Sequence, residues 1–151
     1  MTEITDFSAL RQQLGQEIAV GDWFEMTQDR ISQFAETTED RQWIHIDAAR
    51  AAAESPYKAT IAHGFLTLSM LSALLRSAIK LPQQRLGINY GLNRVRFTGA
   101  VPAGSRIRGR VVPSEVKEIE GGYQVVWTIT IEREGSDKPC CVAEWVLRYL
   151  R

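Results

Sequence analysis

The chain of 151 residues has little of what usually announces a prosthetic centre, with only two histidines and two cysteines, and the cysteines, Cys140 and Cys141, are neighbours. Vicinal cysteines cannot bridge each other without straining the peptide between them, so no disulfide is expected. They read as buried thiols of a reducing cytosol. No two Cys or His residues have the spacing of a ligand pair, and His45 and His63 stand eighteen residues apart with no thiolate between them. No metal is expected. Net charge is also missing, since 18 Lys+Arg face 18 Asp+Glu. That balance removes the footprint of non-specific nucleic-acid or anionic-membrane binding. The start, Met1 to Asp6, has neither a positive nor an apolar segment, so export is not expected. The longest helix-compatible apolar segment, Ile61 to Leu81, is interrupted by His63, Arg76 and Lys80. It falls short of the roughly 20 uninterrupted apolar residues that span a bilayer, and the chain reads as soluble and cytoplasmic. There is no internal repeat, linker or serine elbow, and Gly99 to Gly104 lies between strands instead of before a helix, where a phosphate cradle belongs.

What is present describes one domain over 1–151, long enough to bury roughly two thirds of its unfolded surface. The first half has helical period and the second half strand period, with the change near Pro82, which predicts an α+β fold. A short helix is expected over Phe7 to Leu14. A second begins after Thr27 as N-cap, with Asp29 in its first turn and Ile31, Phe34 and Ala35 at helical spacing, and ends near Thr38. A third runs from about Asp47 through Ala53 and stops before Pro56. From Ala62 to about Ile79 apolar residues fall on nearly every side, which predicts a single long buried helix. Four strands follow, Leu86 to Phe97, Arg106 to Val116, Tyr123 to Glu132 and Cys140 to Leu150, with a hairpin turn at Glu120-Gly121-Gly122. A meander of long antiparallel strands after one buried helix implies a sheet curled around that helix.

Two places hold groups capable of chemistry. Asp40 precedes His45 by five residues, a separation that a regular helix would rotate apart, so a turn must bring the two together. A carboxylate and an imidazole converging on one water make an acid/base pair; the other reading has Asp40 capping a turn and His45 packing under the next helix. His63-Gly64 opens the long helix, where unpaired amides and the absence of a Cβ suit an oxyanion. Close packing at Gly64 and a carbonyl partner for His63 fit the same residues. Ser69 and Ser72 lie one to two turns further along, and a serine on a buried helix needs a partner. The basic residues Arg94, Arg96, Arg106, Arg108 and Arg110 form either a solvated sheet face or an anchor for a phosphorylated ligand.

Taken together, Asp40 and His45, the run Ile61-Ala62-His63-Gly64-Phe65, and Ile88-Asn89-Tyr90-Gly91 resemble the MaoC-like dehydratases, or (R)-specific enoyl-CoA hydratases, of the hot dog fold. Gln42-Trp43-Ile44-His45 and Asn89 to Phe97 are most similar to the NodN-like branch. The resemblance spans nearly the whole chain. It implies a trans-2-enoyl-CoA substrate, reversible hydration to the (R)-3-hydroxyacyl thioester, no cofactor and a homodimer. It implies that His45 takes a proton from water, that Asp40 holds the water and protonates the α-carbon, and that the Gly64 amide holds the thioester carbonyl. Ser72 corresponds to a small polar residue near the carboxylate. Gln42 and Trp43 depart from the family pattern, standing where it has Asn and Pro; Gln42 keeps an amide and Trp43 is expected to restore rigidity by packing. The acyl chain is expected in an apolar tunnel along the buried helix, and the coenzyme A phosphates at Arg94, Arg96 or Lys58. An acyl-CoA thioesterase of the same fold and a non-catalytic acyl-thioester binding protein are the alternatives, and the Asp40/His45 pair favours the hydratase. Unpaired sheet edges independently predict association.

Overall fold

Period-two alternation dictates the larger layer. In the computed structural model, which describes residues 1–151, the strands β5 (Leu86–Arg96), β6 (Arg106–Ile119), β7 (Gly122–Arg133) and β8 (Pro139–Leu150) form most of a curved antiparallel sheet. Along β7, Val125, Trp127, Ile129 and Ile131 are fully buried while the alternating Thr128, Thr130 and Glu132 are only half-buried; Val126, on the second face, is buried as well. The turn joining β6 to β7 places Gly121 at φ 78, a left-handed backbone that glycine adopts without a Cβ penalty. The short strands β2 (Ala19–Val20) and β3 (Phe24–Glu25) cover the free edge of β6, and the sheet order is β2-β6-β7-β8-β5 with β3 also on β6. The expected meander therefore holds for β6, β7 and β8 only. β5 crosses over to pair with β8, leaving its other edge open.

Local capping sets the helices. In α1 (Gln28–Thr38) the Thr27 hydroxyl accepts from the Arg30 amide at 3.1 Å, and in α3 (Ala48–Glu54) the Asp47 carboxylate accepts from the Arg50 amide at 3.0 Å. A one-turn helix, α2 (Trp43–Ile46), lies between them. The single buried helix expected over residues 62–79 is corrected in two ways. It divides at Met70 into α4 (Gly64–Ser69) and α5 (Leu71–Ala78), and its last residues are strand β4 (Ile79–Lys80), parallel to β1 (Thr2–Glu3). Nor is it buried all round: Phe65, Ser69, Ser72 and Arg76 are exposed, and their spacing of four, three and four residues puts them on one face. Phe65 is 71% exposed, a large apolar group facing outwards.

The opposite face of α5 packs on the sheet, with Leu71, Leu74, Leu75 and Ala78 in one core with Ile107, Val111, Trp127 and Ile129. Burying each large side chain stabilises by about 1.5–3 kcal/mol. The Trp127 indole satisfies its buried N–H by donating to the Tyr149 hydroxyl at 2.9 Å. Both cysteines are buried and unbridged, as expected. On the outer face, Arg106 pairs with Glu134, Arg108 with Glu132, and Arg110 with Glu132 and Glu17; these arginines belong to a solvated ladder. No helix is long and apolar enough to cross a membrane.

Candidate active site

Helix α1 stops because Glu39 adopts a left-handed backbone, φ 62 and ψ 16, which turns Asp40 away from the helix axis. A non-glycine residue there costs roughly 1–2 kcal/mol. Three residues after Asp40 α2 begins, and its single turn is clamped from both sides. The Ile61 amide donates to the Ile44 carbonyl at 3.1 Å, and the Gln28 side-chain amide donates to the His45 carbonyl at 2.8 Å. The buried Thr60 hydroxyl donates to the other end of the Gln28 amide at 2.5 Å. A turn supported by long-range bonds thus carries His45 back towards Asp40. Trp43, at the position where the family has proline, is half-buried under the Arg50 guanidinium, 4.3 Å from its ring centroid.

His45 is buried, with Nδ1 2.7 Å from the Ile61 carbonyl oxygen. A carbonyl can only accept, so Nδ1 carries the proton and Nε2 presents a lone pair. Burial is the largest influence on this ring and lowers its pKa; the Ile61 bond raises it, the neighbouring His63 lowers it, and Asp40 raises it, leaving it below its ordinary value near 6.5. It is a free base at neutral pH.

His63 is also buried. Its Nε2–H donates to the main-chain carbonyl of Asp40 at 2.9 Å, and its ring stacks on His45 with centroids 3.7 Å apart and planes 23° apart. Its Nδ1 has no partner. One oxygen of the Asp40 carboxylate and one nitrogen of each imidazole lie within 4.8 Å of one another. Sequence spacing did not foresee this third member, because position 63 joins the pair only through the Ile44–Ile61 pairing. Three ligand-type groups together raise the question of a metal. Stacked rings aim their in-plane lone pairs side by side, so an ion about 2.1 Å from both nitrogens would sit far out of both ring planes. The arrangement fits proton transfer and does not fit ligation.

Gly64 opens α4, whose first amides have no intrahelical acceptor. A Cβ here would lie 3.1 Å from the Phe97 ring, so glycine lets that ring close over the helix start without displacement. A cavity of about 380 Å³ borders Gly64, lined by Ala62, Thr67, Phe97, Val101 and Cys140 among others. It lies between α4 and the β5–β6 connection. Burial is the main cause pushing the Cys140 thiol up to about 12, and the thiol is held on the Ile131 carbonyl at 3.2 Å. It forms a wall and is no nucleophile.

The remaining expected residues are dispersed. Gln42 is exposed and reaches Asp40 only through its backbone amide, 3.5 Å from the carboxylate. Ser72 lies on the exposed helix face, in a groove with Asn89, Leu92 and Trp145, while the buried polar residue beside Gly64 is Thr67. Lys58 follows Tyr57, which lines the cavity; its ammonium lies 3.4 Å from the Ala53 carbonyl. Arg94 and Arg96 line a different groove with Thr98, Thr128, Val142 and Glu144. Gln28, Thr60 and Thr67 had no signal in the sequence, since each acts across a distance that only the fold closes.

A curved sheet around a central helical segment, with Asp40, His45 and His63 gathered beside the start of α4, defines a hot dog fold of the hydratase/dehydratase class. The fold is shared with R-hydratase PhaJ1 from Pseudomonas aeruginosa, at 24% identity and a TM-score of 0.72 over 91% of this chain and 82% of that one. The MaoC like domain matches residues 10–134, and the chain belongs to the MaoC-like dehydratase family. The chain is 44% identical to 3-hydroxyacyl-thioester dehydratase Z of Mycobacterium tuberculosis over 137 residues, 90% of each. It is 46% identical to Nodulation protein N of Rhizobium leguminosarum bv. viciae over 136 residues, covering 88% of this chain and 84% of that protein. The resemblance to the NodN-like branch is thus confirmed.

Proposed function

We propose that the protein is an (R)-specific enoyl-CoA hydratase, reversibly adding water to a trans-2-enoyl thioester without a cofactor. The observation that carries this reading is the convergence of Asp40 with a His45 whose Nδ1–H is committed to Ile61, leaving Nε2 free as a base. Water held between the two gives a proton to His45 Nε2 while its oxygen bonds to the β-carbon. Electron density moves to the thioester oxygen, where the amide of Gly64 stabilises the enolate. The proton taken by His45 passes to the Asp40 carboxylate, which delivers it to the α-carbon, so that H and OH of one water are both in the product and both side chains end as they began. The acyl chain takes the cavity beside Gly64. Of the cations proposed for the coenzyme A phosphates, Lys58 and Arg96 each adjoin in sequence a residue lining that cavity, Tyr57 and Phe97, and Arg94 and Arg96 line the groove that shares Thr98 with it.

The protein works as a homodimer in this reading. β5 has an open backbone edge and exposes Leu86, Ile88, Tyr90 and Leu92, and Phe65 is exposed on α4. Such an edge invites pairing with a second copy. Sedimentation at micromolar concentration should give twice the mass of one chain.

Purified protein mixed with crotonyl-CoA tests the activity. Loss of enoyl absorbance without thiol release, abolished in Asp40→Asn and His45→Gln, is the expected result. Thiol release would put a thioesterase in its place, and silence with short and long enoyl chains a binding role.

A further inference from the structure

His63 is bound up with both members of the pair but touches neither the water nor the thioester in the scheme above. Asp40 sits on an exposed, left-handed connection, and its carboxylate meets only the Gln42 amide at 3.5 Å, the limit of a hydrogen bond. The bond from His63 Nε2 to the Asp40 carbonyl is the firm tether on that residue. His45 is fixed at one ring edge by the Ile61 carbonyl, but its face is covered by His63 at 3.7 Å, and His63 is itself backed by Phe34 at 4.9 Å. A ring that merely filled this space would be better as phenyl, because imidazole leaves Nδ1 buried without a partner. The Nε2–H bond explains why an imidazole is there.

We propose that His63 is the positioning residue of this site: one imidazole sets the plane of the His45 base by stacking and the main chain of the Asp40 acid by hydrogen bonding. It thereby fixes the spacing of a pair carried on two separate segments. The inference rests on the hydratase reading for its kinetics, and on geometry alone for its spectroscopy. The titratable groups acting on His45 are Asp40 and His63; Gln28, Phe34, Thr60 and Ile61, which pack around the two rings and α2, carry no charge.

Two variants divide the two contacts. His63→Phe keeps a ring to stack and removes the donor; His63→Gln keeps a donor at the reach of Nε2 and removes the ring. With crotonyl-CoA, His63→Phe should lower kcat about 100-fold, the scale of a misplacement near 1 Å, with KM within roughly threefold. His63→Gln should recover about tenfold of that loss. Because the chain has two histidines, proton–nitrogen NMR resolves both rings in the intact protein. The wild type should show His45 as the Nδ1–H tautomer and His63 as the Nε2–H tautomer, and His63→Gln should move the His45 midpoint upwards, since a neighbour that disfavours its charge has gone. Near-wild-type kcat in His63→Phe, an unmoved His45 midpoint in His63→Gln, or an Nδ1–H tautomer at His63 would each overturn the proposal. A kcat loss matched by a fall in melting temperature would also do so, by reducing His63 to a packing residue. If the wild type hydrates nothing, the functional reading fails while the tautomers and midpoint still decide the positioning role. Should His63→Phe not fold, His63→Gln and the wild-type spectra carry the decision.

Discussion

Replacing Gly64 by alanine separates what the helix start does for stability from what it does for chemistry. The added Cβ would lie 3.1 Å from Cγ and Cδ2 of Phe97 and 3.2 Å from Cδ1. Ordinary carbon contacts sit at about 3.5–4.0 Å, so the ring must retreat by a few tenths of an ångström. Phe97 is 48% exposed, and its outer side gives on to solvent, so the ring can move. The strain is then below about 1 kcal/mol and is offset by the roughly 0.5–1 kcal/mol that alanine gains over glycine in a helix. A melting temperature within about 3 °C of wild type follows for a chain of this size. Catalysis in the proposed scheme has no such relief, because the methyl and the displaced ring both intrude where that scheme brings the thioester carbonyl to the Gly64 amide. Loss of one oxyanion donor costs about 10²–10³ in rate, so kcat/KM for crotonyl-CoA should fall by that factor while thermal melting is nearly unchanged. The double variant Gly64→Ala with Phe97→Ala removes the ring but leaves the methyl over the amide, and should restore little activity. Hydration by Gly64→Ala within roughly threefold of wild type would refute the placement of the carbonyl at this amide.

The lowered pKa of His45 extends the plateau of the pH–rate profile for hydration below pH 6.5, with activity lost as the pH falls through the folded-state midpoint and His45 takes up a proton. By the same linkage the unfolded chain binds that proton more readily, so folding stability contributed by this ring is present above 6.5 and declines as pH falls towards the folded midpoint; an acid limb above 6.5 would contradict both. Tyr149→Phe strands the buried Trp127 N–H, whose acceptor at 2.9 Å is the Tyr149 hydroxyl, and should destabilise by about 1–3 kcal/mol in urea unfolding. A loss under about 0.5 kcal/mol would mean that the indole finds another acceptor. Glu39→Gly relieves the left-handed backbone at φ 62 and should stabilise by roughly 1 kcal/mol, with destabilisation counting against the turn as described.

Local structure was legible wherever its cause lies within a few residues. Thr27 and Asp47 cap their helices through amides three positions ahead, alternation in β7 sorts its two faces, and Gly121 marks its turn. The fold class was legible from the change of period near Pro82, and Asp40 and His45 were legible as a candidate pair from their short spacing, although long-range bonds from Ile61 and Gln28 hold them together. Apolar content misled at residues 62–79, where hydrophobic side chains predict burial but cannot tell a core from an exposed face, as Phe65 shows. The sequence alone thus determined most of the elements, the starts of α1 and α3, and the candidate pair Asp40 and His45. The tertiary structure decided the strand order, the break at Met70, the dispersal of Ser72, Arg94 and Arg96 from the pair, and the stacking of His63 on His45. Each of these depends on residues far apart in the chain, and no local periodicity encodes which distant backbone groups, such as Ile44 and Ile61, will satisfy each other when the core closes.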